Sequence, residues 1–294
     1  MENKSQKSIK VTLLGTGAPP PVMNRFGPST LVEAGGEKFI FDAGRGAMQR
    51  LFQLKIPFAD VTGLFLTHHH SDHVVGIPDL WLTGWIGRPW GQRKVPLRVW
   101  GPLGTKEMMS HLAKAYQVDI RVRSKNYPPQ GVSVHTEDIT EGVVYEKGGL
   151  KVTAFEVDHG SELLPAFGYR IDYAGRSAVL SGDTTFNENL IRFSQDADLL
   201  VHEVAATTEG LLHTTEQFKR ITKNHTTPEQ EGEVFTRVRP KLAVYTHILL
   251  FGSFNDEDLI PATRKRYSGP LEVGEDLMRI DVGEKVKVSR FPSG

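Results

Sequence analysis

Apolar positions in this chain fall mostly in short runs that either alternate with polar residues or are continuous, which is the pattern of strands. Ile9 to Leu14 alternates and breaks at Gly15-Thr16-Gly17. Ser29 to Ala34 and Glu37 to Phe41 form a hairpin pattern around Gly35-Gly36, ending in Asp42-Ala43-Gly44. Val61 to Leu66, Leu97 to Trp100, Val132 to Thr136, Val143 to Tyr145 and Leu150 to Val157 read as further strands. A second hairpin joins Phe167 to Asp172 and Arg176 to Leu180 through Tyr173-Ala174-Gly175. Asp198 to Val201 and Leu242 to Tyr245 complete the set. Helices are predicted over Gly46 to Leu54, from Val74 through Leu82, and over Gly104 to Tyr116 and Asn187 to Ser194. One more opens at Thr226-Thr227-Pro228-Glu229 and runs to Val238, with a capping residue, Pro at its first position and an early Glu. Trp81 and Trp85 share a helix face, and core packing is the expected reason. The aromatic, Gly-rich stretch they open continues to Trp90.

Polar chemistry is placed at the ends of these strands. Asp42, His68 to His73, His159, Asp183, Glu203 and His247 each follow an apolar run. One such residue would be unremarkable, but the recurrence lines one edge of a sheet system with acids and imidazoles, where α/β proteins place their sites. The densest stretch is Thr67-His68-His69-His70-Ser71-Asp72-His73. Imidazole and carboxylate suit zinc and neighbouring transition ions. In H-x-H-x-D-H, His68 and His70 can point one way and Asp72 and His73 another, so that adjacent metals are gripped from one turn.

Composition adds limits. Residues 1–294 read as a single domain, since no repeat, low-complexity segment or composition break divides the 294 residues. Formal net charge is 0, so no global basic field advertises a nucleic-acid partner. Without cysteine, disulfides, Cys-zinc sites and thiol nucleophiles are excluded. Met1 to Lys10 has no apolar core, and no stretch has the roughly 18 apolar residues of a membrane span. A cytoplasmic protein without membrane partners is the expectation.

The ordered set resembles the metallo-β-lactamase superfamily: H-x-H-x-D-H, the lone His159, Ser181-Gly182-Asp183-Thr184, then Thr246-His247. Leu14-Gly15-Thr16-Gly17, Phe41-Asp42-Ala43-Gly44, His202-Glu203 and Asn224-His225-Thr226-Thr227 fit its ribonuclease Z-like branch. The resemblance implies an α/β fold of αββα type, two mixed β-sheets face to face with helices outside. It implies two divalent metal ions, zinc first and manganese or iron as alternatives. His68, His70 and His159 would hold the first, Asp72, His73 and His247 the second, with Asp183 bridging. Attack by a hydroxide between the metals would follow, Asp72 holding its hydrogen. His225, oriented by Glu203, corresponds to the family's proton-donor or charge-stabilising pair. Asp42 is expected behind the ligands, Asp158 is left open, and His69, His111, His135, His202 and His213 are expected to be structural or on the surface. A homodimer is a family expectation.

For the substrate, the branch implies tRNA 3′-processing endonucleases, phosphodiesterases and zinc-dependent sulfatases. The RNA-processing members commonly insert a Gly- and Pro-rich arm between the positions of His159 and Asp183, where this chain has a tight hairpin. Gly76 to Trp85, Trp100 to Thr105 and Pro165 to Tyr169 resemble the arylsulfatase group. The expected activity is therefore hydrolysis of small aryl sulfate or phosphate esters. A ribonuclease Z-type endonuclease is the alternative, nucleic acid being the less favoured partner. β-Lactamase, lactonase and non-catalytic metal-binding readings rank below.

Overall fold

The computed structural model describes residues 7–86, 91–160, 165–208, 211 and 223–291. Its chain begins with β1 (Ile9–Gly15), β2 (Ser29–Ala34), β3 (Glu37–Phe41), β4 (Gly63–Phe65), β5 (Leu97–Gly101) and β6 (Val134–Asp138). Between them lie α1 (Ala47–Gln53), α2 (Ser71–Val74), α3 (Ile77–Ile86), α4 (Thr105–Ala115) and α5 (Gln117–Arg123). There follow β7 (Gly142–Lys147), β8 (Leu150–Val157), β9 (Ala166–Tyr173), β10 (Arg176–Leu180), α6 (Glu188–Phe193) and β11 (Leu199–Thr207). After α7 (Pro228–Val238), β12 (Leu242–Phe251), α8 (Asp256–Thr263) and β13 (Leu271–Val273), the chain returns with β14 (Arg279–Val282) and β15 (Val286–Ser289). Two mixed sheets result, ordered β15-β14-β1-β2-β3-β4-β5-β6 and β13-β12-β11-β10-β9-β8-β7.

Period-two alternation explains why the sheets stack. Ile9, Val11, Phe39, Phe65 and Trp100 of the first sheet pack with Val152, Tyr169, Leu180, Val201 and Val244 of the second. The intervening residues face outward onto helices. Leu31, Ile40, Leu64 and Val99 meet α1, α3 and α4, while Phe155, Val179, Leu200 and Ala243 meet α6, α7 and α8. Sheets buried on both faces read as nearly continuous apolar runs, as β4 and β10 do. The architecture is αββα, as expected. Trp81 and Trp85 are buried, and each indole N–H donates to a backbone carbonyl, of Val132 and Pro128 at 2.8 Å. Both are therefore core residues. Residues 87–90, including Trp90, lie outside the described part, as does His213. No helix among the described residues is long and apolar enough to cross a membrane.

Two strands run further than predicted. β11 continues through His202-Glu203 to Thr207, and β12 through Thr246-His247 to Phe251. They stay paired in parallel across a bulge, with Glu203 opposite Thr246 and Val204 opposite Ile248, so His247 has no partner in the register. Glu203 and His247 thus come from mid-strand, delivered by an irregularity rather than by an end.

His202 is structural. Its Nδ1 lies 2.7 Å from Glu231 Oε1 on α7, both side chains being buried. Burial drives the Glu231 carboxyl up to about 7 against the pull of His202. Replacing Glu231 by Leu removes the ion-pair partner of a buried imidazole, although the ring keeps the Glu203 carbonyl at 2.9 Å from Nδ1 and can shed its proton. We expect a loss of about 2–3 kcal/mol in urea unfolding, and a change below ~0.5 kcal/mol would contradict the pairing.

Candidate metal centre

The carboxyl ends of parallel strands in both sheets meet at one edge. β3 runs parallel to β4, and β10 parallel to β11. Asp42 follows β3, the histidine stretch follows β4, His159 follows β8 and Asp183 follows β10. The α2 helix begins at Ser71 and carries Asp72 and His73, which are buried. His247 sits at the bulge with φ 42 and Asp42 at the strand exit with φ 58, conformations that non-glycine residues seldom adopt and that cluster at functional sites.

Two donor groups form there. Ligand atoms of His68, His70, His159 and Asp183 lie within 4.8 Å of one another, as do those of Asp72, His73 and His247. Asp183 joins the groups through one oxygen. Its Oδ2 is 3.8 Å from Nε2 of both His68 and His159, 3.3 Å from His73 Nε2 and 3.2 Å from His247 Nε2. Every member of the expected ligand set is brought to this edge. His225 approaches as well, its ring 4.8 Å from that of His159 and stacked on His247 at 5.6 Å.

Hydrogen bonds aim these rings. Asp42 accepts from the Thr67 backbone N–H and hydroxyl, each at 2.8 Å, and from His73 Nδ1 at 2.8 Å. Because the Thr67 hydroxyl hydrogen is committed to Asp42, His68 Nδ1 at 2.9 Å must be the donor to Thr67 Oγ1. His159 Nδ1 donates to the Asn224 carbonyl at 2.8 Å. Each assignment leaves an Nε2 lone pair directed into the site. Asp42 thus stands behind the candidate donors, in the carboxylate–histidine arrangement that fixes a metal-binding tautomer. Thr67 and Asn224 were not singled out for these roles in the sequence. The Thr beside the histidines was the available signal, whereas a carbonyl contact leaves none.

The donor set fits cations. Asp72 Oδ2, His73 Nε2 and His247 Nε2 are buried without hydrogen-bond partners, an arrangement that is costly unless something charged satisfies them. His68 Nε2 and His70 Nδ1 stand 2.9 Å apart, and facing lone pairs at that distance repel unless a proton or a cation lies between. Burial, followed by His73, pushes His68 well below the usual imidazole range, and burial lowers His70 and His159 also. Neutral imidazole is the form that binds metal. Against its burial, His247 and His73 hold the Asp183 carboxyl well below the usual range.

A buried acid stands beside the donor groups. Glu203 accepts from the Thr226 backbone N–H at 2.9 Å and from His225 Nδ1 at 3.2 Å. Against its burial, Glu203 raises His225 to about 9. The Thr226 hydroxyl donates to the Thr184 carbonyl at 2.7 Å, fixing the approach to α7. Asp158 belongs to neither donor group. It is exposed, and its Oδ1 accepts from Gly160 N–H at 3.0 Å. His111 and His135 are exposed.

A sheet pair with helices outside and this donor edge defines a class, and the chain belongs to the metallo-β-lactamase superfamily: residues 37–248 match the family model described as a beta-lactamase superfamily domain. Within it, the similarity runs to proteins named ribonuclease Z. The one from Mycolicibacterium gilvum is 35% identical over 282 residues, covering 93% of this chain and 96% of that protein. The ribonuclease Z of Mycobacterium avium is 35% identical over 280 residues, covering 93% and 98%. Among solved structures, human short-form tRNase Z superposes with TM-score 0.70 at 21% identity, over 92% of this chain and 98% of its own.

Proposed function

We propose that this chain is a metal-dependent endonuclease of ribonuclease Z type, cleaving a phosphodiester at the 3′ end of tRNA precursors. The observation that carries this reading is the buried Glu203–His225 pair beside an intact donor set. A ribose oxygen leaving a phosphodiester is strongly basic and needs a proton, and His225, held in its charged form by Glu203, is placed to give one. The names and full-length coverage of the relatives support the same choice.

His68, His70 and His159 would hold one divalent ion, Asp72, His73 and His247 the other, and Asp183 both. Zinc is the ion best suited to this mixture of imidazole and carboxylate. Bound ions would supply a nucleophile at neutral pH and neutralise charge on the attacked phosphate. Asp72 serves as ligand and as acceptor of the nucleophile's hydrogen. Asp42 and the Asn224 carbonyl keep the rings oriented, and His225 protonates the departing oxygen.

A second reading, hydrolysis of small aryl sulfate or phosphate esters, is favoured by the hairpin between His159 and Asp183. β9 and β10 are joined through Ala174 and Gly175 alone, both at positive φ in a two-residue turn, with no RNA-gripping arm there. A panel of pre-tRNA with a 3′ trailer, bis-p-nitrophenyl phosphate and p-nitrophenyl sulfate separates the two. We expect site-specific cleavage of pre-tRNA at 50 mM salt, declining by about tenfold or more toward 200 mM as phosphate contacts are screened. Rapid aryl sulfate turnover with intact pre-tRNA would select the second reading.

A further inference from the structure

The residue between the first two donors points away from them. His69 Nε2 lies 2.8 Å from Thr105 Oγ1, on the first turn of α4. The Thr105 hydroxyl donates to the Pro102 carbonyl at 2.7 Å, so His69 is the donor in the contact with Thr105. Thr105 is fully buried and wedged against Gly101, where an added Cβ would come within 2.5 Å of its hydroxyl. It is therefore a fixed anchor.

The stretch that His69 belongs to needs one. β4 ends at Phe65 and α2 starts at Ser71. Among the described residues no backbone hydrogen bond holds His68 or His69. Thr67 is tied through its hydroxyl and N–H to Asp42, and His70 through its carbonyl to His73 N–H at 3.0 Å. Between these ties His68 and His70 turn their rings into the donor group, while His69 turns its ring to α4. Pinning His69 to α4 consequently sets the direction in which both His68 and His70 point. His70 has the greater need, being the exposed member of its donor group.

We infer that His69 is a positioning residue for the first ion: its hydrogen bond to Thr105 holds His68 and His70 in the geometry that ion requires, and Thr105 is part of the device. The inference rests on the reading of His68, His70 and His159 as ligands of one ion. It assigns a role in the site to a side chain expected to be structural or on the surface.

The test is zinc binding to the full chain in competition with a chromophoric chelator, alongside thermal melting of the metal-free proteins. Wild type should take up two ions per chain. His69→Ala should weaken one of them by about 10–100-fold and leave the other unchanged, the usual scale for groups that orient ligands. His159→Ala, which removes a donor from the same ion, marks the binding step affected. Thr105→Val should act in the same direction, and His69→Gln, which keeps an N–H donor, should restore part of the loss. Metal-free melting should be unaltered in His69→Ala. Unchanged zinc affinity in that variant overturns the inference while leaving the metal centre standing. Equal weakening of both ions together with a lowered metal-free melting point also overturns it, because His69 would then be supporting the fold. A wild type that binds no zinc overturns the metal centre and this role together.

Discussion

Replacing Asp183 by Ala is expected to remove at least one ion from the site and to lower turnover on the order of 10³-fold or more. The reason is geometric. A single buried oxygen lies within 3.8 Å of four imidazole nitrogens, two from each donor group. Removing it withdraws negative charge from both groups at once and leaves the imidazoles facing each other. Asp183→Asn keeps the shape and loses the charge, so it should fall in the same direction with a smaller loss of metal. Elemental analysis of the purified proteins, with hydrolysis rates on one substrate, checks both statements. Full metal content and an undiminished rate in Asp183→Ala would overturn the bridging assignment.

His225→Ala should separate substrates by their leaving group. A ribose alkoxide cannot depart without a proton, whereas p-nitrophenolate is a good leaving group near neutral pH. Proton donation is worth roughly 10²–10⁴-fold where it is required. The variant should therefore slow cleavage of pre-tRNA by that factor and bis-p-nitrophenyl phosphate far less, with metal content unchanged. Glu203→Gln should show the same pattern more weakly, since Glu203 contacts the Nδ1 side of the ring. Equal losses on both substrates would make His225 a stabiliser of the attacked phosphate, and loss of metal would make it a ligand, which its approach to Asp183 and His247 allows.

The strands and the donor edge were legible because buried strands leave a plain signature, and the αββα arrangement was what the family resemblance implied. β8 and β10 were read to the residue, and the polar groups after them stood out against apolar runs. Two readings fell short where pairing, and not local sequence, decides. Glu203 and His247 were taken to follow strand ends, yet a bulge carries no distinct sequence mark, and Thr246-His247 looks like a terminus. The strands β13 to β15 were not read, since Arg279–Val282 and Val286–Ser289 are short and half polar and gain their place by pairing with β1 and each other. His69 and His202 were expected to be structural or on the surface, as His202 is; the partners that place them, Thr105 and Glu231, are distant in sequence. Substrate choice was the least legible. A missing arm pointed to aryl esters, whereas the relatives that this chain matches over nearly their whole length are named ribonuclease Z.

The bulge in β12 has an effect on what the protein can become. Tyr245 and Ile248 both face the helices of the second sheet, although regular alternation would turn residues three apart to opposite faces. The extra residue absorbs that odd step, and His247 is the residue left over. Its side chain is thereby excused from core packing, with neighbours on either side already seated. A position freed in this way packs at the donor edge, its ring stacked between those of His73 and His225. Deleting it would turn Ile248 and every side chain after it in the strand to the wrong face. The irregularity that delivers a donor to this edge therefore also fixes the length of the strand.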